Sequence, residues 1–315
     1  MAKVLVTGGA GFIGSNLVRA LIERGDDVRV LDNFSTGNRG NLDGLDVDVV
    51  EGELRSYERV HAATRGVEVV YHLGALGSVP RSVQDPLTSS AVNVEGTLNV
   101  LLAARDEGVR RVVFSSSASV YGSSRQMPTT EDSPPDPVSP YGVAKLAAER
   151  YCVSFSRVYE SFEAVVLRYF NVFGPRQSPF SQYAAAVPLF ITKIAAGQPI
   201  DIYGDGEQSR DFTYVGNVVD ATVRAGDAEG ANGEIFNVAA GSPASVNTVA
   251  ETIGAIVDKP VERRELPRRP GDLRDSWADL SKSERVLGYT PETPLEEGLR
   301  LTIDALLSGR ERGRL

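Results

Sequence analysis

Short apolar runs alternate with stretches of helical spacing through the first half of the chain. β-Branched and aliphatic residues fill segments 4–7, 28–32, 47–50, 67–73, 111–116 and 164–169, which predicts strands. Between them, apolar residues recur every three or four positions, most clearly in segments 12–22, 93–107 and 141–159. Alternation of this kind predicts an α/β fold, a doubly wound parallel sheet with helices on both faces.

The pattern changes after residue 170. The Gly-Pro-Arg-Gln-Ser-Pro run at 174–179 interrupts it, and the segments that follow are shorter and richer in proline and glycine. A further strand-like segment at 234–238 is expected to return to the main sheet. We therefore predict a larger unit formed by 1–170 with 212–240, and a smaller α/β unit formed by 171–211 and 241–315.

Composition narrows the class of protein. The 315 residues are 42% hydrophobic and 24% charged, as in an ordinary globular protein, and the net charge of −9 offers no attraction to nucleic acid. Cys152 is the single cysteine, so no internal disulfide and no thiolate zinc site is expected. Of the two histidines, His61 is expected on a surface helix and His72 at the end of a strand, in the core. No signal peptide or membrane span is expected, which favours a cytoplasmic protein.

A glycine-rich turn joins the first predicted strand to the first predicted helix. Glycines at positions 8, 9, 11 and 14 satisfy Gly-x-Gly-x-x-Gly counted from Gly9 and Gly-x-x-Gly-x-x-Gly counted from Gly8. Without side chains the backbone can turn tightly and approach a pyrophosphate, which the free N–H groups and the dipole of the following helix attract. With a strand before it and a helix after it, the motif predicts a dinucleotide site on a Rossmann-type sheet.

Asp32 ends the second predicted strand, and it indicates which dinucleotide is bound. Its carboxylate can accept hydrogen bonds from the adenosine ribose but would repel a 2′-phosphate. Asn33 follows, and the first arginine after Asp32 is Arg39, so no cation is expected to receive that phosphate. The sequence therefore predicts NAD rather than NADP.

Tyr141 and Lys145 lie four residues apart at the start of a predicted helix, so their side chains share one face. An ammonium group there would stabilise the tyrosinate and lower the pKa of the tyrosine toward that of a general base. An ordinary surface pair is the alternative. The serine-rich run at 115–119 favours catalysis, because it ends a predicted strand where open α/β sheets bind their ligands, and Ser117 becomes a third candidate.

These motifs resemble those of extended short-chain dehydrogenases/reductases that act on nucleotide sugars. Later segments resemble the substrate half of UDP-hexose 4-epimerases, so that the similarity covers essentially the whole chain. Two segments, 77–82 and 182–185, are closer still to the UDP-N-acetylglucosamine 4-epimerase branch. The segments of the substrate half are Arg-Tyr-Phe-Asn-Val-Phe-Gly at 168–174, Gly-Asp-Gly at 204–206, Arg-Asp-Phe at 210–212 and Gly-Asp at 271–272.

The resemblance implies roles in catalysis and cofactor binding. Tyr141 would take the proton of the sugar 4-hydroxyl as a hydride leaves C4 for NAD, and Ser117 would hydrogen-bond that hydroxyl. Lys145 would bind the nicotinamide ribose. Glu53 stands where the family has an aspartate that contacts adenine, and Leu-Gly-Ala at 73–75 replaces a Leu-Ala-Ala. The implied cofactor contacts are Gly8, Gly11, Phe12, Ile13, Gly14, Asp32, Asn33, Glu53, Leu54, Leu73, Ala75, Asn93, Ser115, Tyr141, Lys145 and Tyr169.

It also implies a UDP-sugar site. Asn171 and Arg210 would bind the diphosphate, and Arg269 and Asp272 would complete the nucleotide clamp. Tyr203 would stack on uracil. The implied substrate contacts are Ser78, Ser119, Asn171, Ala185, Val187, Tyr203, Arg210, Arg269, Asp272 and Ser276. No metal ligand is implied.

The residues after Ser117 separate 4-epimerases from related enzymes. Dehydratases of the family carry an Asp-Glu pair there and UDP-glucuronate decarboxylases a nearby glutamate, whereas this chain has Ala118 and Ser119. Without an acid to protonate a leaving hydroxyl, the site can remove a hydride and return it. Return to the opposite face of the 4-keto sugar inverts C4 and restores NAD.

Substrate range follows from Ser276, which matches the family's size-determining position. Glucose-only relatives have a tyrosine there, whereas serine leaves room for a 2-acetamido group. We predict interconversion of UDP-GlcNAc and UDP-GalNAc, and of UDP-Glc and UDP-Gal in addition. Open alternatives are a 4-epimerase of UDP-glucuronate or UDP-GlcNAc-uronate, with Arg81 pairing the C6 carboxylate, a net oxidoreductase on a nucleotide sugar, and a non-catalytic NAD-binding sensor.

The resemblance further implies a homodimer. In the family the helices matching 93–107 and 141–159 form a four-helix interface, although the same apolar stripe would also cover the sheet within one chain.

Overall fold

The computed structural model describes residues 2–122, 126–179, 185–268 and 274–308. Its strands are β1 (Lys3–Thr7), β2 (Asp27–Asp32), β3 (Asp48–Glu51), β4 (Val69–His72), β5 (Arg111–Ser117), β6 (Glu163–Tyr169), β7 (Val172–Phe173), β8 (Ile200–Tyr203), β9 (Ser209–Arg210), β10 (Thr213–Tyr214), β11 (Ile235–Val238), β12 (Ala244–Ser245) and β13 (Arg263–Leu266). Its α-helices are α1 (Phe12–Arg24), α2 (Tyr57–Thr64), α3 (Val79–Gln84), α4 (Pro86–Ser90), α5 (Gly96–Asp106), α6 (Pro140–Val158), α7 (Ala186–Ala195), α8 (Val215–Asp227), α9 (Val246–Val257), α10 (Ser281–Leu287) and α11 (Leu295–Leu307).

Within the described ranges, seven parallel strands form the central sheet in the order β11-β6-β5-β4-β1-β2-β3. The predicted α/β fold of Rossmann type is confirmed, and each predicted strand lies within two residues of an observed one. Because all seven strands run the same way, their carboxyl ends meet at one edge of the sheet. The strand order reverses between β1 and β4, which is where sheets of this kind bind their ligands.

Period-two alternation along the strands supplies a hydrophobic core on each face of the sheet. In β1, Val4 and Val6 pack with α1 and α8, whereas Leu5 faces the opposite core with α2, α5 and α6. In β5, Val113 belongs to the first core, and Val112 and Phe114 to the second. Residues buried on both faces explain why these strands are continuous apolar runs.

The two helices that carry the strongest motifs begin in different ways, one without a side-chain cap and one with it. Helix α1 starts after Gly11, which offers no side-chain cap, and ends at Gly25 with a φ of 94°. Helix α6 starts after Ser139, whose hydroxyl accepts a hydrogen bond from the Gly142 N–H, and Pro140 occupies its first turn. The predicted helix 93–107 differs, since a π-helical turn (Ala91–Glu95) precedes the regular helix α5.

A third hydrophobic core lies outside the sheet. It joins α7, α9 and α11 to β8 and is built around Phe190, Ile191, Ile202, Ile253 and Leu299. Strand β11 pairs with β6 in the large sheet, while the sequence boundaries at 170, 212 and 240 stay a prediction. None of the helices in the described ranges combines the length and the apolar character that crossing a membrane requires.

Candidate active site

The glycine loop between β1 and α1 has space only for backbone. Gly8 has a φ of 71°, and a Cβ on it would lie 2.8 Å from the Cα of Gly74. A Cβ on Gly14 would lie 2.1 Å from the carbonyl oxygen of Gly8. The first N–H groups of α1, at Phe12, Ile13 and Gly14, have no intrahelical acceptor. The loop is therefore a cradle of backbone donors with the shape and polarity that a pyrophosphate requires.

Asp32 lies at the carboxyl end of β2, beside this loop, and is almost fully buried. Its Oδ2 accepts a hydrogen bond of 2.9 Å from the Ala10 N–H, and its Oδ1 one of 2.8 Å from the Phe34 N–H. Burial raises the pKa of the carboxyl, while the backbone hydrogen bonds oppose that shift. Each oxygen keeps a second lone pair, so the carboxylate can still receive ribose hydroxyls. Arg39 stacks on Phe34 and pairs with Glu51, which already neutralises its charge. The residues fit NAD.

Tyr141, Lys145 and Ser117 meet where α6 crosses the end of β5. The Tyr141 phenol lies close enough to the Ser117 side chain for the two groups to interact, which lowers the pKa of the phenol against the larger, opposite effect of burial. The Ser117 hydroxyl also lies 3.1 Å from the Ser119 hydroxyl. One turn further along α6, the buried Lys145 Nζ donates a 2.8 Å hydrogen bond to the carbonyl of Ser115 and lies 6.0 Å from the centre of the Tyr141 ring. The structure thus brings the three predicted catalytic side chains together.

The electrostatics of this group differ from the sequence expectation. Burial raises the pKa of Tyr141, and the interaction with Ser117 only partly opposes it, so the expected lowering is wrong for the protein chain alone. The ammonium group faces the Ser115 carbonyl rather than the phenol, and burial lowers the pKa of Lys145 to about 8. In the protein chain alone, Lys145 therefore does not lower the pKa of Tyr141.

Two predicted substrate residues, Arg210 and Ser276, lie on neighbouring backbone segments. The N–H of Ser276 donates to the Ser209 carbonyl at 3.2 Å, and the N–H of Asp211 donates to the Ser276 carbonyl at 2.9 Å. These bonds place Ser276 opposite Arg210. The buried carboxylate of Asp211 holds the pair by accepting from the N–H groups of Ala240, Gly241 and Ala278.

Tyr203 belongs to a separate recess at the end of β8. The recess has a volume of about 140 Å³, and its lining includes Gly204, Gln208, Arg268 and Arg274 besides Tyr203. A half-buried aromatic ring among polar groups is a suitable surface for a planar base.

A protein-family model for the NAD dependent epimerase/dehydratase family matches residues 4–239. The UDP-glucose 4-epimerase of Mycolicibacterium smegmatis is 40% identical over 312 residues, which are 96% of this chain and 97% of that protein. The chain belongs to the NAD-dependent epimerase/dehydratase family. The predicted resemblance to UDP-sugar 4-epimerases is thereby confirmed, and NAD is the cofactor of the family.

Two crystal structures are similar over nearly all of the chain. The UDP-glucose 4-epimerase of Thermotoga maritima, solved with UDP-glucose, is 38% identical with a TM-score of 0.93, covering 98% of this chain and 100% of that one. The UDP-N-acetylglucosamine 4-epimerase of Methanobrevibacter ruminantium M1, solved with UDP-N-acetylmuramic acid, is 38% identical with a TM-score of 0.92 and covers 98% of each chain.

Several predicted contacts are occupied by other interactions. The Tyr169 phenol is hydrogen-bonded to the Thr222 hydroxyl at 2.7 Å, and Val187 is buried in the third core. Both side chains therefore serve packing. The exposed carboxylate of Glu53 is paired with Arg55.

The remaining predicted residues have identified positions. Leu54 packs against Gly74 and Gly96; Leu73 packs on the core of α1 and α8, and Ala75 is half-buried. The Ser78 hydroxyl caps α3, and the exposed Asn33 accepts from the Ser35 N–H. Asn171 is exposed with a φ of 31°, and Ala185 is exposed just before α7. Arg269, Asp272 and residues 182–184 lie outside the described residues.

Two buried polar side chains hold the loop after β4, which faces the glycine cradle. His72 lies between the hydroxyls of Thr7 and Thr97 at 2.6 and 3.0 Å, and burial, with a contribution from Lys145, lowers its pKa to about 3. The predicted core position of His72 is confirmed. Asn93, in the π-helical turn, bonds to both the N–H and the carbonyl of Leu76. The Asn93 side chain thus holds the backbone of the loop after β4 at Leu76.

A contact that the sequence analysis missed ties α3 to α6, the helix that carries Tyr141 and Lys145. The buried Ser82 hydroxyl accepts a 3.1 Å hydrogen bond from the Tyr141 N–H, an otherwise unpaired donor of the first helical turn. Ser82 falls in the segment 77–82 that the resemblance singled out, but nothing in its spacing indicates this partner.

Proposed function

We propose that this protein is a UDP-sugar 4-epimerase that interconverts UDP-GlcNAc and UDP-GalNAc and accepts UDP-Glc and UDP-Gal as well. The observation that carries the proposal is the contact of Tyr141 with Ser117, with Lys145 behind it, at the sheet edge beside the glycine cradle. Family membership alone would also allow dehydratases, but Ala118 and Ser119 supply no carboxyl acid to expel water.

In the proposed reaction, Tyr141 accepts the proton of the 4-hydroxyl while Ser117 hydrogen-bonds the same oxygen. The glycine cradle and Asp32 would hold NAD, which would supply a hydride acceptor for C4 and a hydride donor to the other face of the 4-keto sugar. Tyr141 then gives its proton back to the C4 oxygen. Lys145, one helical turn behind the phenol, binds the nicotinamide ribose, and Arg210 anchors the diphosphate while the sugar turns.

The acetamido sugar is proposed because Ser276 lies directly opposite Arg210. A small side chain at this position leaves space beside the sugar, and a tyrosine would fill it. The backbone bonds of residues 209–211 to Ser276 fix its position relative to Arg210, the residue proposed to bind the diphosphate.

The test is an NMR assay of the purified protein with UDP-GlcNAc, UDP-Glc, UDP-glucuronate and UDP-GlcNAc-uronate, without added cofactor. We expect interconversion of UDP-GlcNAc with UDP-GalNAc and of UDP-Glc with UDP-Gal. Ser276→Tyr should lower kcat/KM for UDP-GlcNAc by about 100-fold and leave that for UDP-Glc within a few fold. Ser276→Ala, which keeps the space open, should behave like the wild type.

Other outcomes of the same assay identify the alternatives. Exclusive turnover of a uronate would replace the proposed substrate, and stoichiometric NADH would indicate a net oxidoreductase. Bound NAD without turnover of any UDP-sugar would indicate a sensor. Equal loss on both substrates in Ser276→Tyr would remove the role of this residue in substrate choice.

We further propose that the protein forms a homodimer through an apolar groove beside α6. Leu87 of α4 is 84% exposed, and Val83, Val138 and Val143 are each more than half exposed. The groove has a volume of about 600 Å³. Residues that line it are Pro86, Ser90, Val94, Pro137, Val138, Ser139, Pro140, Val143, Ala144 and Ala147. Aliphatic surface on this scale is typical of interfaces, and a second copy of the chain would cover it.

Leu87→Glu should convert the dimer to a monomer in light scattering after size exclusion, because a charge would be buried without a partner. Leu301→Glu places the same charge at an exposed position of α11, and this variant should remain dimeric. A monomeric wild type at micromolar concentration, or a dimeric Leu87→Glu, would contradict this interface.

A further inference from the structure

A buried ion pair lies directly behind the catalytic residues. Glu149 of α6 is fully buried, and Arg168 of β6 is 1% exposed. The guanidinium binds the carboxylate in bidentate fashion, with Nε to Oε1 at 2.9 Å and Nη2 to Oε2 at 2.8 Å. The Ser116 hydroxyl of β5 donates to the same carboxylate at 2.5 Å.

The contact of Glu149 with Ser116 is the last of three contacts between α6 and β5. Tyr141, Lys145 and Glu149 are spaced four residues apart and therefore lie on one face of the helix. They meet the Ser117 side chain, the Ser115 carbonyl and the Ser116 hydroxyl respectively. A rotation or a shift of α6 that broke one contact would displace the other two.

The third contact is anchored from outside α6 and β5. Arg168 lies opposite Ser116 in the β5–β6 register, and its guanidinium carbon lies 4.6 Å from the centre of the Tyr121 ring. Tyr121 in turn donates to the Asn237 side chain of β11 at 2.6 Å. The carboxylate of Glu149 is thus held by groups fixed to three neighbouring strands.

Stability alone does not account for such a pair. Removing two charges from water is costly, and well-packed apolar side chains often stabilise a core as well or better. What an ion pair adds is a single geometry, because a bidentate bond tolerates little displacement.

We propose that Glu149, held by Arg168 and Ser116, is a positioning residue that sets α6 on β5 so that Tyr141 and Lys145 lie in catalytic register. This inference rests on the proposed epimerase function.

The charge of Glu149 also acts on Lys145, one turn away. Burial lowers the pKa of Lys145, and Glu149 and Cys152 on the same helix oppose that shift. From the other packed elements, Lys145 meets the Phe114 ring at 4.8 Å, the Ser115 carbonyl and the neutral His72. Glu149 is the carboxylate among these groups, so its loss should let Lys145 deprotonate at lower pH.

The experiment measures the pH profiles of kcat and KM for wild type, Glu149→Gln and a control with UDP-GlcNAc or whichever UDP-sugar the wild type turns over. In Glu149→Gln we expect kcat at pH 8 to fall about tenfold or more, KM to stay within twofold, and the alkaline limb of kcat to shift about one pH unit lower. Because Arg168 is then buried without a counter-charge, Glu149→Leu/Arg168→Met removes both charges and should show the same loss of kcat at unchanged KM.

The matched control is Glu163→Gln. Glu163 of β6 pairs with the buried Arg111 of β5 at 2.6 Å. This pair lies at the opposite end of the β5–β6 register from Ser116 and Arg168. The pH profile of Glu163→Gln should equal that of the wild type.

The outcomes separate this inference from the proposed function. An inactive wild type overturns the epimerase itself. An active wild type with an unchanged kcat profile in both Glu149 variants overturns only the positioning role, as does a rise in KM with kcat preserved or an equal effect in Glu163→Gln.

Discussion

Replacing Tyr141 by phenylalanine is expected to lower kcat by about 10³-fold, the contribution of a well-placed general acid–base group. The phenol lies beside Ser117, and His72 cannot replace it as the base, because His72 is neutral and held between two hydroxyls. The ring keeps its packing in the variant, so the bound NAD and the KM for the UDP-sugar should stay close to wild type. Steady-state kinetics with NAD quantified per protomer measure all three.

Tyr151→Phe is the matched control for Tyr141→Phe. It makes the same change on the same helix at an exposed position, 40% accessible, and should leave kcat unchanged. Near-normal turnover by Tyr141→Phe would refute its role as the base, and a parallel loss of NAD would assign the residue to cofactor binding instead.

The cofactor half of the site could be predicted from the sequence because backbone geometry dictates it. Only glycine is compatible with the close approach at Gly8 and Gly14, and Asp32 must end the strand next to β1 to meet the same ligand. Local rules of this kind appear directly in residue types and spacing.

The remainder depends on long-range contacts that spacing does not encode. Glu149 lies on helix α6 and its partner Arg168 is 19 residues away on strand β6, and the partner of Ser82 is 59 residues away. The lowered pKa expected for Tyr141 was wrong because the ammonium group of Lys145 finds a closer carbonyl and because burial dominates. The direction of the Tyr169 and Val187 side chains was equally inaccessible, since either face of a strand or helix fits the pattern.

Gly14→Ala is expected to deplete the purified protein of NAD. The added Cβ would lie 2.1 Å from the Gly8 carbonyl oxygen and 2.9 Å from the Gly9 Cα, both backbone atoms that cannot rotate away. Helix α1 must therefore move off the loop, which separates the N–H donors of the cradle. Overpacking of this kind costs about 1–3 kcal/mol, so NAD should bind about 5- to 150-fold more weakly. Excess NAD should restore turnover, because Tyr141 and Lys145 are on a different helix.

Gly77→Ala is the control, since a Cβ there meets nothing within 4 Å, and its NAD content should equal that of the wild type. Circular dichroism separates a folded, NAD-poor Gly14→Ala from an unfolded one. If Gly14→Ala instead retained one NAD per protomer at wild-type affinity, the pyrophosphate could not lie on this loop. The whole placement of the nicotinamide against Tyr141 would then have to be abandoned, because the carboxyl edge between β1 and β4 is what brings the two together.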